Sequence, residues 1–207
     1  MDAFDVLGLA PSFDLDSKVL EQRYRDLQRA LHPDKFAQAS AAERRASLSR
    51  AVSVNEAYRA LRDELKRAEV LYARLGGKLS ERGGEPADPE LLMEVMELRE
   101  QLSETKQSRD VAARERLTRE VRQLNDDHVA VLRQAFVTLL ASGSRGGRPR
   151  LSAALAEAAD ELAAREAGDT GALQVAARAL SRLRYYRRFL DEVAALEDAQ
   201  DVLDSLD

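Results

Sequence analysis

The sequence predicts an all-α protein, and three observations carry that prediction. Among its 207 residues are 34 Ala and 31 Leu but only 14 Val, 4 Thr and no Ile. Residues that lose little freedom in a helix therefore abound, while the β-branched residues that favour strands are scarce. Pro and Gly concentrate at Gly8 with Pro11, at Pro33, from Gly76 to Pro89 and from Ser142 to Pro149, which marks those places as breaks. Between the breaks, apolar residues recur three and four positions apart, the rhythm of a buried helix face.

The break containing Gly76, Gly77, Gly83, Gly84, Pro86 and Pro89 reads as a linker over residues 76–89. It separates a module at 1–75 from a helical bundle at 90–207. In the first module, Leu20, Tyr24, Leu27 and Leu31 form one stripe on a helix that starts near Asp16 or Ser17, and Pro33 ends it. A second stripe, Ala51, Val54, Tyr58, Leu61 and Leu65, follows a polar loop near 36–41. Two such helices joined by a short loop pack as an antiparallel hairpin.

In the second module a helix starts near Asp88, an N-cap followed by Pro89. Its core stripe is Leu91, Val95, Leu98 and Leu102. A longer helix spans roughly 107–141, with Leu117, Val121, Leu124, Val131, Ala135 and Leu139 on one face. A third runs from about Asp169 to Leu203 and carries Leu173, Ala176, Leu180, Leu183, Leu190 and Val193. Three helices of this kind form a bundle. Residues 142–168, a Gly/Arg/Ser/Pro stretch followed by an Ala-rich segment, read as an insertion bearing its own surface helix. His128 shares the phase of Leu117, Val121 and Leu124, so it reads as a structural, hydrogen-bonded histidine.

Composition removes several function classes. Zero Cys excludes disulfides, thiolate nucleophiles and thiolate-held clusters, and two His, His32 and His128, exclude a histidine-rich metal centre. Apolar runs fall far short of the ~20 residues needed to span a bilayer. Asp2 and Asp5 are wrong for a signal peptide, so the expectation is a cytoplasmic protein with no membrane partner. The net charge is −5, with 13 basic and 12 acidic residues in 1–75 and 19 and 25 beyond. Neither part has the basic excess of a nucleic-acid binder.

The sharpest local motif is His32-Pro33-Asp34, placed where the first amphipathic helix stops. That helix displays Lys18, Arg23, Arg25 and Arg29, the loop continues Lys35-Phe36, and the next helix holds Asn55-Glu56-Ala57-Tyr58. With the opening Phe4 to Leu9, residues 1 to about 75 resemble a J domain, the module through which J-proteins activate ATP-dependent chaperones of the DnaK class. The resemblance implies a hairpin whose basic helix docks on an acidic surface of the chaperone. His32, Pro33 and Asp34, with Lys18, Arg23, Arg25, Arg29 and Lys35 around them, would then bias it toward ATP hydrolysis. Charges in such an interface chiefly set orientation and on-rate. An acid–base enzyme built on His32 and Asp34 is disfavoured, since no nucleophile, phosphate loop or second titratable cluster accompanies them.

Around the helix that starts at Asp88, residues fall about 100° apart. With Leu91 at zero, the core stripe stays within about 40°, whereas Leu92, Met96 and Met93 lie at about 100°, 140° and 200°. This second apolar patch, rimmed by Glu97, Arg99 and Glu100, is either an interaction surface or a face covered by the inserted helix or by the first module. Tyr185 and Phe189 lie off the Leu180/Leu183 stripe and, with Arg184, either extend the patch or pack internally.

The string DPELLMEVMELRE at 88–100, together with LRYYRRFLDEV at 183–193, is similar to the HscB family, the dedicated J-proteins of iron–sulfur cluster assembly. That resemblance covers nearly the whole chain apart from 142–168. It implies that Leu92, Met93, Met96, Glu97 and Glu100, with Arg184 and Tyr185, bind an IscU-like scaffold protein, and that the J domain recruits an HscA-type chaperone. No cofactor is implied, because the cluster ligands belong to the scaffold. The chain is thus expected to be a co-chaperone, not an enzyme, and the alternative is a J-protein serving a different client.

Overall fold

The computed structural model describes residues 1–78, 88–144 and 155–204. Those of the expected linker at 79–87 and of the expected insertion at 145–154 lie outside the described residues. The chain divides into two compact units, Met1–Lys78 and Leu79–Asp207. Among the described residues there are helices and turns and no strand.

The first unit contains α1 (Ala3–Leu7), α2 (Ser17–Ala30), a 3-10 turn (Pro33–Phe36), α3 (Ala41–Arg62) and α4 (Glu64–Arg74). Each start has a side-chain cap that satisfies orphan amide groups. Asp2 and Asp5 form a capping box on α1, Asp16 caps α2, Ser40 and Glu43 form a second capping box on α3, and Asp63 caps α4. Helix α1 closes at Gly8 with φ 63°, a left-handed conformation that favours glycine, and a side chain's Cβ there would also displace the Arg23 guanidinium, which it would meet at 2.8 Å. Phe4, Leu7, Phe13, Leu20, Val54, Leu61, Leu71 and Tyr72 form the buried core of this unit. The expected pairing of two amphipathic helices is present as α2 and α3, but Leu65 belongs to a further helix. Asp63, with φ −79° and ψ 122°, is extended and breaks the chain between α3 and α4. Arg67 of α4 then donates to the carbonyls of Phe13 (2.8 Å) and Leu61 (2.7 Å), tying the last turn of α3 to the loop before α2.

The second unit contains α5 (Pro89–Ser108), α6 (Val111–Ser144) and α7 (Leu155–Asp204). Asp88 caps α5 as its sequence predicts, with Pro89 in the first turn. The expected separate helix before the last one is not a separate element, because α7 is continuous across Gly168 and Gly171. The interior is built from Leu98 and Leu102 of α5, Leu117, Val121, Leu132, Phe136 and Leu139 of α6, and Leu180, Leu183, Tyr186, Phe189 and Val193 of α7. Val131, expected in this core, is 45% exposed, and Leu132 and Phe136 take its place. The buried face of α6 is centred nearer Val121 and Leu132 than the Leu117 direction, which leaves Val131 at its edge. His128 is the structural histidine its phase predicts: Nδ1 lies 2.8 Å from the Leu124 carbonyl, and the ring packs edge-on against Tyr186.

Between α5 and α6, Arg109 is held at φ 51° as the C-cap residue of α5, a conformation that strains an L side chain and suits glycine. An Arg109→Gly variant is expected to stabilise the protein by about 0.5–1 kcal/mol, after the larger unfolded-state entropy of glycine is subtracted. Urea unfolding of the two proteins side by side checks this; an unchanged or lower midpoint contradicts it.

Candidate functional site

In the first unit the candidate site is the end of α2 and the turn after it. Lys18, Arg25 and Arg29 recur on one face of α2 by their spacing. The two arginines are engaged locally, Arg25 with Glu21 and Arg29 with Asp26, each at 2.6 Å. Arg23, grouped with them from sequence, stands apart. It is rotated about 140° from Lys18 around the helix, and its Nε donates to the Leu7 carbonyl at 2.7 Å, anchoring the end of α1. Sequence spacing alone was enough to separate it.

Beyond α2 the chain turns at Leu31, whose carbonyl accepts a hydrogen bond from the buried Ser47 hydroxyl of α3 at 3.3 Å. This contact fixes the origin of the turn. His32 caps the 3-10 turn by accepting the Asp34 amide at Nδ1 (3.3 Å), and Lys35 follows on the exposed side. The Asp34 carboxylate is 90% exposed and approaches the His32 ring at 3.5 Å. Gln22, Arg25, Gln28 and Arg29 of α2, with Leu31, His32, Pro33 and Ala51, line an open groove of about 630 Å³. A network unrecognised in the sequence braces this groove from behind. Tyr24 stacks on Tyr58 with ring centroids 4.0 Å apart, its hydroxyl donates to Asn55 Oδ1 at 2.9 Å, and Gln28 donates to both. The arrangement has an acceptor and a cationic rim turned to solvent, which suits docking of a charged partner rather than chemistry on a bound small molecule.

In the second unit, Leu92, Met93 and Met96 are 51%, 66% and 70% exposed on α5, with Glu97, Arg99 and Glu100 exposed beside them. The sides of α5 turned from these residues face α7, whose Tyr185 also reaches the edge of the patch at Arg99. Of the residues there, Phe189 is buried and packs internally, while Arg184 and Tyr185 are half-buried. Tyr185 donates to the Val95 carbonyl at 3.3 Å, so it holds α5 in place. Burial raises the pKa of the Tyr185 phenol, with Arg99 acting in the other direction.

A polar cluster around Arg182, a residue that none of the motifs above includes, joins α7 to the start of α5. Buried Arg182 of α7 meets Asp88 at 2.8 Å, Glu94 at 3.5 Å and Glu90 at 3.6 Å, and Glu94 also accepts the hydroxyl of the fully buried Tyr186. The signal was available. Ala179, Arg182, Leu183 and Tyr186 follow the core rhythm, and a cation at a core phase requires anionic partners. The Arg182 hydrogen bond holds the Asp88 carboxyl below the usual range. Burial works to lower the Arg182 pKa, but Asp88 and Glu94 more than offset it and the net shift is upward. Burial, then Glu94, pushes the Tyr186 phenol up.

A folded-state pKa below the unfolded one gives a contribution to stability that is complete above the ordinary aspartate value of about 3.9 and is lost as pH falls through the folded value. The amide resonances of α5's first turn are therefore expected to shift as the solution is acidified below about pH 4. The Asp88→Asn variant, which keeps the cap, is expected to lose that titration. NMR titration of both checks it, and an unchanged profile in the variant refutes the assignment.

Comparison with known proteins bears on both units. A family model described as the HSCB C-terminal oligomerisation domain matches residues 87–194, and the chain is 34% identical over 199 residues to a co-chaperone protein HscB homolog of Shewanella halifaxensis, covering 96% of this chain and 98% of the relative. The chain belongs to the HscB family of co-chaperones. The DnaJ domain model matches residues 2–70, the part that holds α1 to α3, the first two turns of α4 and the His32–Asp34 turn. A second HscB homolog, from Shewanella pealeana, is 44% identical over 110 residues, 53% of this chain and 63% of that one. Two solved structures have the same fold. Chaperone HscB from Vibrio cholerae superposes with a TM-score of 0.69 at 28% identity, covering 97% of this chain and 99% of its own. The human co-chaperone HscB does so with 0.71 at 25%, covering 95% and 82%. HscB proteins are co-chaperones and not a family of enzymes. Among the described residues no helix is long and apolar enough to cross a membrane, and no group of three His, Asp or Glu is placed to hold a metal ion.

Proposed function

We propose that this HscB-family chain is an adaptor that binds an IscU-like iron–sulfur scaffold and delivers it, in the cytoplasm, to an HscA-type chaperone of the DnaK class, whose ATPase its J domain stimulates. The J domain is taken as residues 1–75, the linker as 76–89 and the client-binding bundle as 90–207. One observation carries the reading: a single chain exposes both the His32–Pro33–Asp34 turn at the end of a basic helix and, in its other unit, an apolar face of Leu92, Met93 and Met96.

Lys18, Arg25, Arg29 and Lys35 orient the chaperone, and Asp34 offers a carboxylate for a charge-assisted hydrogen bond to it. Leu92, Met93 and Met96 supply the desolvated centre of the client interface, and Glu97, Glu100, Arg184 and Tyr185 supply its polar surround. Carrying both surfaces on one chain raises the scaffold's effective concentration at the chaperone. ATP hydrolysis takes place on the partner, and the cluster ligands are the scaffold's.

The test is calorimetric titration with apo and cluster-loaded scaffold, together with the chaperone's ATPase rate with and without this protein. Saturable scaffold binding and a raised ATPase rate are expected. ATPase stimulation without scaffold binding in either form would leave a J-protein serving a different client.

A further inference from the structure

The first two turns of α5 are fastened to α7 by polar contacts rather than by a core. The buried residues of α5 are Leu98, Leu102 and Thr105, all beyond those turns, while Leu91 and Val95, which head its core stripe, are only half-buried. The grip on this segment comes from α7: Arg182 to Asp88, Glu90 and Glu94, Tyr186 to Glu94, and Tyr185 to the Val95 carbonyl. Glu94 projects about 150° around the helix from the mean direction of Leu92, Met93 and Met96. Asp88 and Glu90 fall about 90° and 110° from that direction, one on each side of it, so the grip leaves the apolar face itself free.

We propose that Arg182, seconded by Tyr186, is a positioning residue for client binding: it fixes the rotation of residues 88–97 about their own axis and so the direction in which Leu92, Met93 and Met96 point. This rests on the reading of that face as the scaffold surface. A guanidinium suits the task, because its planar fork of donors reaches several carboxylates at once, which the point charge of a lysine does not. Without it, Asp88, Glu90 and Glu94 repel one another where little apolar burial opposes their separation. The segment then samples other rotations, and apparent affinity falls in proportion to the fraction of time the face is correctly presented. The lowered pKa of Asp88 and the raised pKa of Arg182 agree with a pair in which both partners are charged.

The test uses the full chain with Arg182→Met, Arg182→Lys and Tyr186→Phe, read by amide hydrogen exchange and by titration with the apo scaffold. In Arg182→Met, exchange at residues 92–97 is expected to quicken about tenfold or more while the α6 core around Leu132 and Phe136 keeps its protection, and scaffold affinity is expected to weaken about tenfold. Arg182→Lys should recover part of both effects, and Tyr186→Phe should show smaller changes in the same places.

Unchanged exchange at 92–97, or quickened exchange there with unaltered affinity, would overturn the proposal. If Arg182→Met loosens the whole unit, Tyr186→Phe decides: it keeps the cation and the buried ring, so an effect confined to 92–97 supports positioning and no effect refutes it. Failure of the wild-type protein to bind scaffold would strike the functional reading instead, and the exchange measurement would still judge the clamp.

Discussion

An Asp34→Asn variant is expected to fold with an unchanged unfolding midpoint and to leave the partner chaperone's ATPase at its basal rate. The carboxylate is 90% exposed and its one close neighbour in the turn is the His32 ring, so its loss removes almost nothing from the folded chain. The turn itself is held by backbone contacts, Lys35 to the His32 carbonyl and Ala37 to the Asp34 carbonyl, at 3.0 and 3.3 Å, and asparagine retains both. On the partner the effect is large. Truncating one member of a desolvated, hydrogen-bonded charge pair costs about 2–5 kcal/mol, which is ~30-fold or more in the productive complex. Steady-state ATPase assays across a range of co-chaperone concentration read this directly, with calorimetry showing scaffold affinity as in wild type. Full stimulation by Asp34→Asn would remove the His32–Pro33–Asp34 turn from the mechanism.

The triple variant Leu92→Ala, Met93→Ala, Met96→Ala is expected to reverse that pattern, losing the scaffold while stimulating the chaperone normally. Three apolar side chains at the centre of an interface act as anchors, and losing such a group costs about 2–4 kcal/mol, or ~30- to 1000-fold in affinity. All three are more than half exposed in the free protein, so stability should move by no more than about 0.5 kcal/mol. Calorimetric titration alongside thermal unfolding checks both halves. Wild-type affinity in a folded triple variant would place the client elsewhere.

Much of the fold was legible in the sequence where a chemical signal coincided with periodicity. Asp16 and Pro33 bracket α2, and Asp88 with Pro89 opens α5, because caps and proline act within a turn and need no tertiary information. Helix α1 was not legible, since five residues are too few to show a period. The break at Asp63 escaped because Leu61 and Leu65 keep the expected spacing across it, although Asp63 carries the chemistry of a cap. Composition suggested a boundary near Gly168 and Gly171, yet a glycine inside a helix costs only about 1 kcal/mol, and α7 runs through both. The residues proposed for the two sites follow from motif and helix face. Their roles were less accessible: Arg23 anchors α1, and Arg182 was passed over because its partners lie some ninety positions away.

The ion pairs along α2 have a kinetic consequence. Arg25 and Arg29 each sit 2.6 Å from an acidic residue of the same helix, so seen from beyond a Debye length, about 8 Å at physiological ionic strength, the four cations of α2 act only as the net +2 that Lys18 and Arg23 leave. An acidic partner is thus drawn in more weakly than four unpaired cations would draw it, and reaches Arg25 and Arg29 only at the last stage of its encounter, when it competes with Glu21 and Asp26 for the guanidinium groups. Association along this face should therefore slow with added salt, though by less than four unpaired cations would cause.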